Sequence, residues 1–77
     1  MNTSATGNYS TALGYYAEAE GDNTVAIGAF SLASAINATA LGHNASATKT
    51  ESTAVGQDAR ATGERSTVLG QGAQATG

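Results

Sequence analysis

The stretch that decides the fold is Thr24-Val25-Ala26-Ile27-Gly28, because close variants of it recur along the whole chain. The other four copies are residues 10–14, 38–42, 52–56 and 66–70. Their last residues are the turn glycines Gly14, Gly28, Gly42, Gly56 and Gly70, which follow one another at a stride of fourteen residues without insertion or deletion. A constant stride of this kind predicts stacked repeats, each of which packs on its neighbours.

A weaker element lies between the copies, and it alternates alanine with polar residues. Its copies are residues 17–21, 31–35, 45–49, 59–63 and 73–77. Both halves of the repeat have a period of two, which favours short strands with one buried face, and glycine suits the tight corners between them. We therefore predict an all-β parallel β-roll, or solenoid, in which each coil of fourteen residues holds two short strands. Residues 1–77 would form one repetitive unit with coils about 4.7 Å apart.

The alternation leaves open which face of the first strand is interior. One column holds large aliphatic side chains, Leu13, Ile27, Leu41, Val55 and Leu69, and the other holds Ala12, Ala26, Ala40 and Ala54. A large row opposite a small row interdigitates well, so we favour the aliphatic column inside the coil and the alanine column on the face where chains approach. The alternative is that the aliphatic column points toward a neighbouring chain. Both columns are predicted to form the structural core.

The composition predicts an oligomer. Hydrophobic residues make up 40% of the 77 residues, but seventeen of them are alanine and only nine are Leu, Ile or Val. Because each large aliphatic side chain supplies only about 2 to 3 kcal/mol on burial, a single copy is marginal against the entropy of ordering its chain. The open ends of such coils also suggest a segment of a longer array, with any export or anchoring segment outside it.

Charge and residue content exclude several classes of protein. The net charge is −3, and the only basic residues besides one histidine are Lys49, Arg60 and Arg65, so a nucleic acid is not an expected partner. Since there is no cysteine, disulfides and thiolate metal sites are excluded. The sequence also has no apolar run long enough to span a membrane.

Residues that could carry chemistry are few. His43 has no nucleophile signature near it, and we interpret it as a surface residue. Glu18, Glu20 and Asp22 are close in sequence, but without the loop of a calcium site they are interpreted as solvated charge. We predict no enzyme activity, no cofactor and no metal site.

The aromatic residues are the one weak candidate for a surface patch. They are Tyr9, Tyr15, Tyr16 and Phe30, all within the first two coils, and Tyr16 and Phe30 are one repeat apart. We expect these two rings to stack. A cluster of Tyr15, Tyr16 and Phe30 could bind a partner, or it could shield a corner or pack against an adjoining chain.

The repeat resembles the head repeats of the YadA-like trimeric autotransporter adhesins, whose signature is approximately N-S-V-A-I-G-x-x-S-x-A. The resemblance covers residues 5–77. It implies a left-handed β-roll, a side-by-side homotrimer, and display on a bacterial surface through an outer-membrane anchor that lies outside this chain. It also implies attachment to host extracellular matrix, to host cells or to other bacteria, hence a role in adhesion and virulence.

Other classes of solenoid remain as alternatives. Thr11, Thr39, Thr53 and Thr67 form a column like the threonine arrays of ice-binding solenoids, but Val25 interrupts it. A purely structural solenoid is a further alternative. A hexapeptide acyltransferase would need a period that is a multiple of six, and a carbohydrate-cleaving enzyme would need paired carboxylates across a groove.

Overall fold

The computed structural model describes residues 3–75, which form eleven short strands and no helix. The strands are β1 (Ser4–Ala5), β2 (Thr11–Leu13), β3 (Glu18–Ala19), β4 (Val25–Ile27), β5 (Leu32–Ala33), β6 (Thr39–Leu41), β7 (Ser46–Ala47), β8 (Thr53–Val55), β9 (Arg60–Ala61), β10 (Thr67–Leu69) and β11 (Gln74–Ala75). They are short because a corner follows every two or three strand residues.

The strands form two parallel sheets, and each coil contributes one strand to each sheet. The odd-numbered strands make a six-stranded sheet and the even-numbered strands a five-stranded sheet, both in sequence order. In the register, Ala40 pairs with Ala26 on one side and Ala54 on the other, so partners are one repeat apart. The prediction of a parallel β-solenoid with coils of about fourteen residues is confirmed.

Alanine side chains fill the space between the two sheets. Among residues 3–75, twelve hydrophobic residues are buried, and eleven of them are alanine: Ala17, Ala19, Ala26, Ala33, Ala38, Ala40, Ala45, Ala47, Ala54, Ala59 and Ala61. The twelfth is Val68, in the last described coil. The Cα atoms extend only 11 Å along the thinnest axis, so the two sheets lie close together and leave room for methyl groups.

The side chains of the aliphatic column point away from the coil interior. The sequence analysis favoured the opposite orientation, with this column inside the coil, and that preference was wrong. Leu13, Leu41 and Leu69 are 64%, 40% and 71% exposed, and Ile27 and Val55 are partly exposed. The alanine column of the same strands is the one that faces inward. The preference was wrong because it assumed one large and one small inner row, whereas both inner rows are small and the gap between the sheets cannot hold leucine.

Each coil has two corners, and at each corner one residue adopts a left-handed backbone conformation with a positive φ. At the first corner the Ala17 N–H donates to the Gly14 carbonyl at 3.1 Å, and Tyr16 has a φ of 60°. At the second the Thr24 hydroxyl donates to the Gly21 carbonyl at 2.7 Å. These local bonds satisfy polar groups that would otherwise be buried without partners.

The turn glycines allow the coils to approach. Gly42 has a φ of +135°, and a Cβ built on it would lie 2.6 Å from the Gly56 carbonyl oxygen in the next coil. Where Ala35 and Lys49 replace the glycine found at the second corner of other coils, the turn is kept, since Ser52 N–H still donates to the Lys49 carbonyl at 3.1 Å.

Candidate functional site

The outer face of the five-stranded sheet is a regular two-column surface. One column is the outward aliphatic series, and the other, two residues earlier in each strand, is mostly threonine. We call the first column the aliphatic face: Leu13, Ile27, Leu41, Val55 and Leu69. Because parallel pairing aligns the members of each column, the aliphatic face is a straight apolar stripe across five coils.

Three of the four aromatic residues, Tyr15, Tyr16 and Phe30, form a cluster at the corner that leads from the five-stranded to the six-stranded sheet. The Tyr16 and Phe30 rings are stacked, with centroids 5.4 Å apart and planes 19° apart, which confirms the expected stacking. The Tyr15 ring meets both edge-on, at 4.3 and 5.8 Å, and the His43 ring meets Phe30 edge-on at 6.2 Å. Tyr9 belongs to the opposite corner and takes no part in these ring pairs.

The backbone at this cluster is one that aromatic residues rarely adopt. Tyr16 and Phe30 have φ values of 60° and 62°, and the equivalent corner positions of the next coils carry Asn44, Asp58 and Gly72. Asn, Asp and Gly enter the left-handed region at lower cost than bulky residues do. The same conformation also occurs at Glu51 and Arg65 at the other corner, so the coil imposes it and the turn does not require a ring at position 16 or 30.

A shallow groove runs beside the aromatic cluster, over the outer face of the six-stranded sheet. Its first part, a concavity of about 280 Å³, is lined by Tyr16, Glu18, Phe30, Ser31 and Leu32. An adjoining concavity of about 200 Å³ shares Phe30 and Leu32. We call the two together the aromatic groove; the second part is also lined by Asn44, Ala45, Ser46, Asp58 and Arg60.

The aromatic groove follows the coil axis, because equivalent positions of successive coils line it. Tyr16 and Phe30 line one wall of the groove at its first part, and polar corner residues line the same wall at its second part. Leu32 is the one large aliphatic side chain that lines the floor. Sequence reasoning did not single out Leu32. The signal was available, since the other outward residues of the six-stranded sheet are Ser4, Glu18, Ser46, Arg60 and Gln74.

The carboxylates beside the groove influence each other. A hydrogen bond with the Glu18 side chain raises the pKa of Glu20, and desolvation and the like charge of Glu18 act in the same direction. A hydrogen bond with Tyr16 likewise raises the pKa of the Tyr15 hydroxyl. Within residues 3–75, no group of three or more His, Asp or Glu side chains is arranged to hold a metal ion.

The same described residues contain no helix with the length and apolar character needed to span a membrane.

The repeats match a known family. The model of the YadA head domain repeat matches residues 5–31, 33–59 and 61–77, which is most of the chain. The chain therefore belongs to this family and is a YadA-like head domain of a trimeric autotransporter adhesin. Comparisons with curated proteins and with solved structures give no significant match.

Family and fold together define the class of protein. The repeat and the β-solenoid are typical of surface-exposed structural adhesins rather than of enzymes. An adhesin-type function follows from the family, and the surfaces described above are the places where contacts can form.

Proposed function

We propose that the chain is the adhesive head segment of a homotrimer on a bacterial surface, and that it attaches to host extracellular matrix proteins or host cells. The observation that carries the proposal is the match of its repeats to the YadA head domain over most of the chain. The anchor in the outer membrane would be a region outside this chain. Residues 1–77 would act as one repetitive unit with a left-handed coil, and virulence would follow from attachment.

The aliphatic face supports the proposed assembly. Leu13 and Leu69 are more than half exposed, in a chain whose buried hydrophobic residues are alanines and one valine in the part that the structure describes. A straight apolar stripe of this kind is costly in water and is stabilised when sister chains cover it. Side-by-side packing of three chains along their stripes would supply the apolar core that a single alanine-filled coil lacks.

Multivalent display explains how weak contacts suffice for attachment. A stiff trimer presents each exposed residue three times, and the repeats present similar residues at regular spacing along the rod. Binding of one site raises the effective concentration of the others, so the overall affinity exceeds that of a single contact by about 10²-fold or more.

The proposal is tested by binding of the purified chain to immobilised collagen, fibronectin and laminin and to host cells. We expect saturable binding by the wild-type assembly and a loss of at least about ten-fold for a variant that no longer assembles, because avidity is lost. The matched control is a surface variant at a second corner, Thr50→Ser, which should bind as the wild type does. Absence of binding to every matrix protein and to cells would contradict the adhesive role.

The ice-binding alternative uses the same face as the proposed assembly. The threonine column at Thr11, Thr39, Thr53 and Thr67 lies on the outer side of the five-stranded sheet, next to the aliphatic face. Sister chains packed on the aliphatic face would crowd this column away from ice. Thermal hysteresis in a solution of the assembled chain would favour the alternative.

A further inference from the structure

The aromatic groove has a chemical character that the adhesive role does not itself require. In its first part the walls and floor are the stacked rings of Tyr16 and Phe30 and the side chain of Leu32, and the only charged group is the Glu18 carboxylate. The first part of the groove is therefore mostly apolar with one negative charge, whereas the second part is polar and holds both Asp58 and Arg60. An occupant must have an apolar body and a positive group.

The distribution of charge along the chain also makes the aromatic end of the groove negative. The first 48 residues contain Glu18, Glu20 and Asp22 but no lysine or arginine, and all three basic residues lie at position 49 or beyond. The aromatic end of the groove thus lies in the acidic part of the rod. A cationic group is attracted there, whereas an anionic group is repelled.

Lysine and arginine side chains match these features. Each has an aliphatic stem that packs on apolar surface and a charged head that stays near water or a carboxylate. A concavity of about 280 Å³ is large enough for one such side chain, and its open shape leaves the backbone of the partner outside. Aromatic rings next to the site add an attraction for cations.

We propose that the aromatic groove is a docking site for a lysine or arginine side chain of a polypeptide partner. The stem lies on Phe30 and Leu32, and the cationic group reaches the Glu18 carboxylate. The inference deepens the proposed adhesive role and rests on it only for the identity of the partner as a host protein.

The chain itself offers the variants for the test, because equivalent positions of the next coil carry smaller or polar residues. Phe30→Asn introduces the residue found at position 44, and Leu32→Ser introduces the residue found at position 46, so both fit the coil. Glu18→Gln removes the charge without changing the shape. Glu64→Gln removes an exposed carboxylate at the opposite corner and is the matched control.

The probe is a labelled synthetic peptide of alternating arginine and glycine, compared with a peptide in which glutamate replaces arginine. We expect the arginine peptide to shift the ring and methyl NMR signals of Tyr16, Phe30 and Leu32 in the full 77-residue chain. Each groove variant should weaken binding by about three- to five-fold, the range that an exposed ion pair or cation–aromatic contact supplies. Glu64→Gln should leave the affinity unchanged.

Several outcomes overturn the docking site. These are equal binding of the arginine and glutamate peptides, no binding of the arginine peptide, or unchanged affinity in Glu18→Gln. If Phe30→Asn or Leu32→Ser instead lowers the mass of the assembly, the groove is filled by a sister chain and the inference is wrong.

The same variants separate this inference from the adhesive role. Binding of the arginine peptide without binding to any matrix protein would contradict the adhesive role and leave the docking site standing. Binding to matrix proteins, with an arginine-peptide affinity that is unchanged in all three groove variants, would contradict the docking site alone.

Discussion

Two consecutive residues of β7 provide a strict test of the inward and outward faces. Ala47 is fully buried and pairs with Ala33 and Ala61 in the neighbouring coils, so an aspartate at position 47 would lie within the alanine core. Burying a carboxylate without a partner costs several kcal/mol, about 4 or more. Chains of this length have about 4 to 12 kcal/mol of stability in total. Ala47→Asp should therefore lose most of its folded population at neutral pH.

The control is Ser46→Asp, one residue earlier on the outer face. Ser46 pairs with Arg60 in the next coil, so the new carboxylate would keep its water and gain a positive neighbour. The free energy of unfolding should change by no more than about 1 kcal/mol. Urea unfolding followed by circular dichroism, at equal protein concentration because assembly contributes to stability, measures both variants. Wild-type stability of Ala47→Asp, or equal damage by the two variants, would refute the assigned faces.

Three further predictions concern the assembly, the corners and the carboxylate pair. Leu41→Asp should lower the mass of the assembly and, with it, the strand signal. Covering the 40% of Leu41 that is exposed is worth about 1 kcal/mol per chain, and a coil without sister chains does not keep its strands. An unchanged mass in sedimentation, or a monomer with full strand signal, would contradict this. Gly42→Ala should lower the free energy of unfolding, measured with urea, by about 3 kcal/mol or more, because its Cβ would meet the backbone of the next coil. Gly72→Ala should lower it by only about 1 kcal/mol, because its Cβ would meet no atom within 4 Å. Similar losses in the two variants would argue against close stacking of the coils. The Glu18 side chain raises the pKa of Glu20 in the folded state, so protonated Glu20 stabilises the fold at low pH, and this stabilisation is lost as the pH rises through the raised pKa. Glu20→Gln should remove this loss from a profile of the urea midpoint against pH. A profile identical to that of the wild type would count against the hydrogen bond between Glu18 and Glu20.

The sequence was sufficient to predict the coil, because the stride of the repeats fixes which residues pair. Stacking of Tyr16 on Phe30 followed from the same stride, since residues one repeat apart occupy equivalent positions. Periodicity of two also identified the strands correctly. It could not tell the inner from the outer face, because both columns of the first strand are apolar and the alternation is the same for either choice.

The outward direction of the aliphatic column was not predicted, because it depends on the distance between the two sheets. The sequence of the second strand shows alanines such as Ala19 and Ala33 facing inward, but it does not show how closely they approach Ala26 and Ala40. Only the observed thinness of the coil excludes leucine from the interior. The aromatic groove was missed for a similar reason, since it requires side chains from four coils to lie side by side. The left-handed coil and the three-chain assembly stay predictions.

The mass of the chain in solution tests most directly whether these thin coils need sister chains. The single chain has a mass of 7.5 kDa, and we predict a species of three times that mass, about 22 kDa, in sedimentation equilibrium, with strand circular dichroism that disappears when the assembly dissociates. A 7.5 kDa species that keeps its full strand signal on dilution would contradict the account.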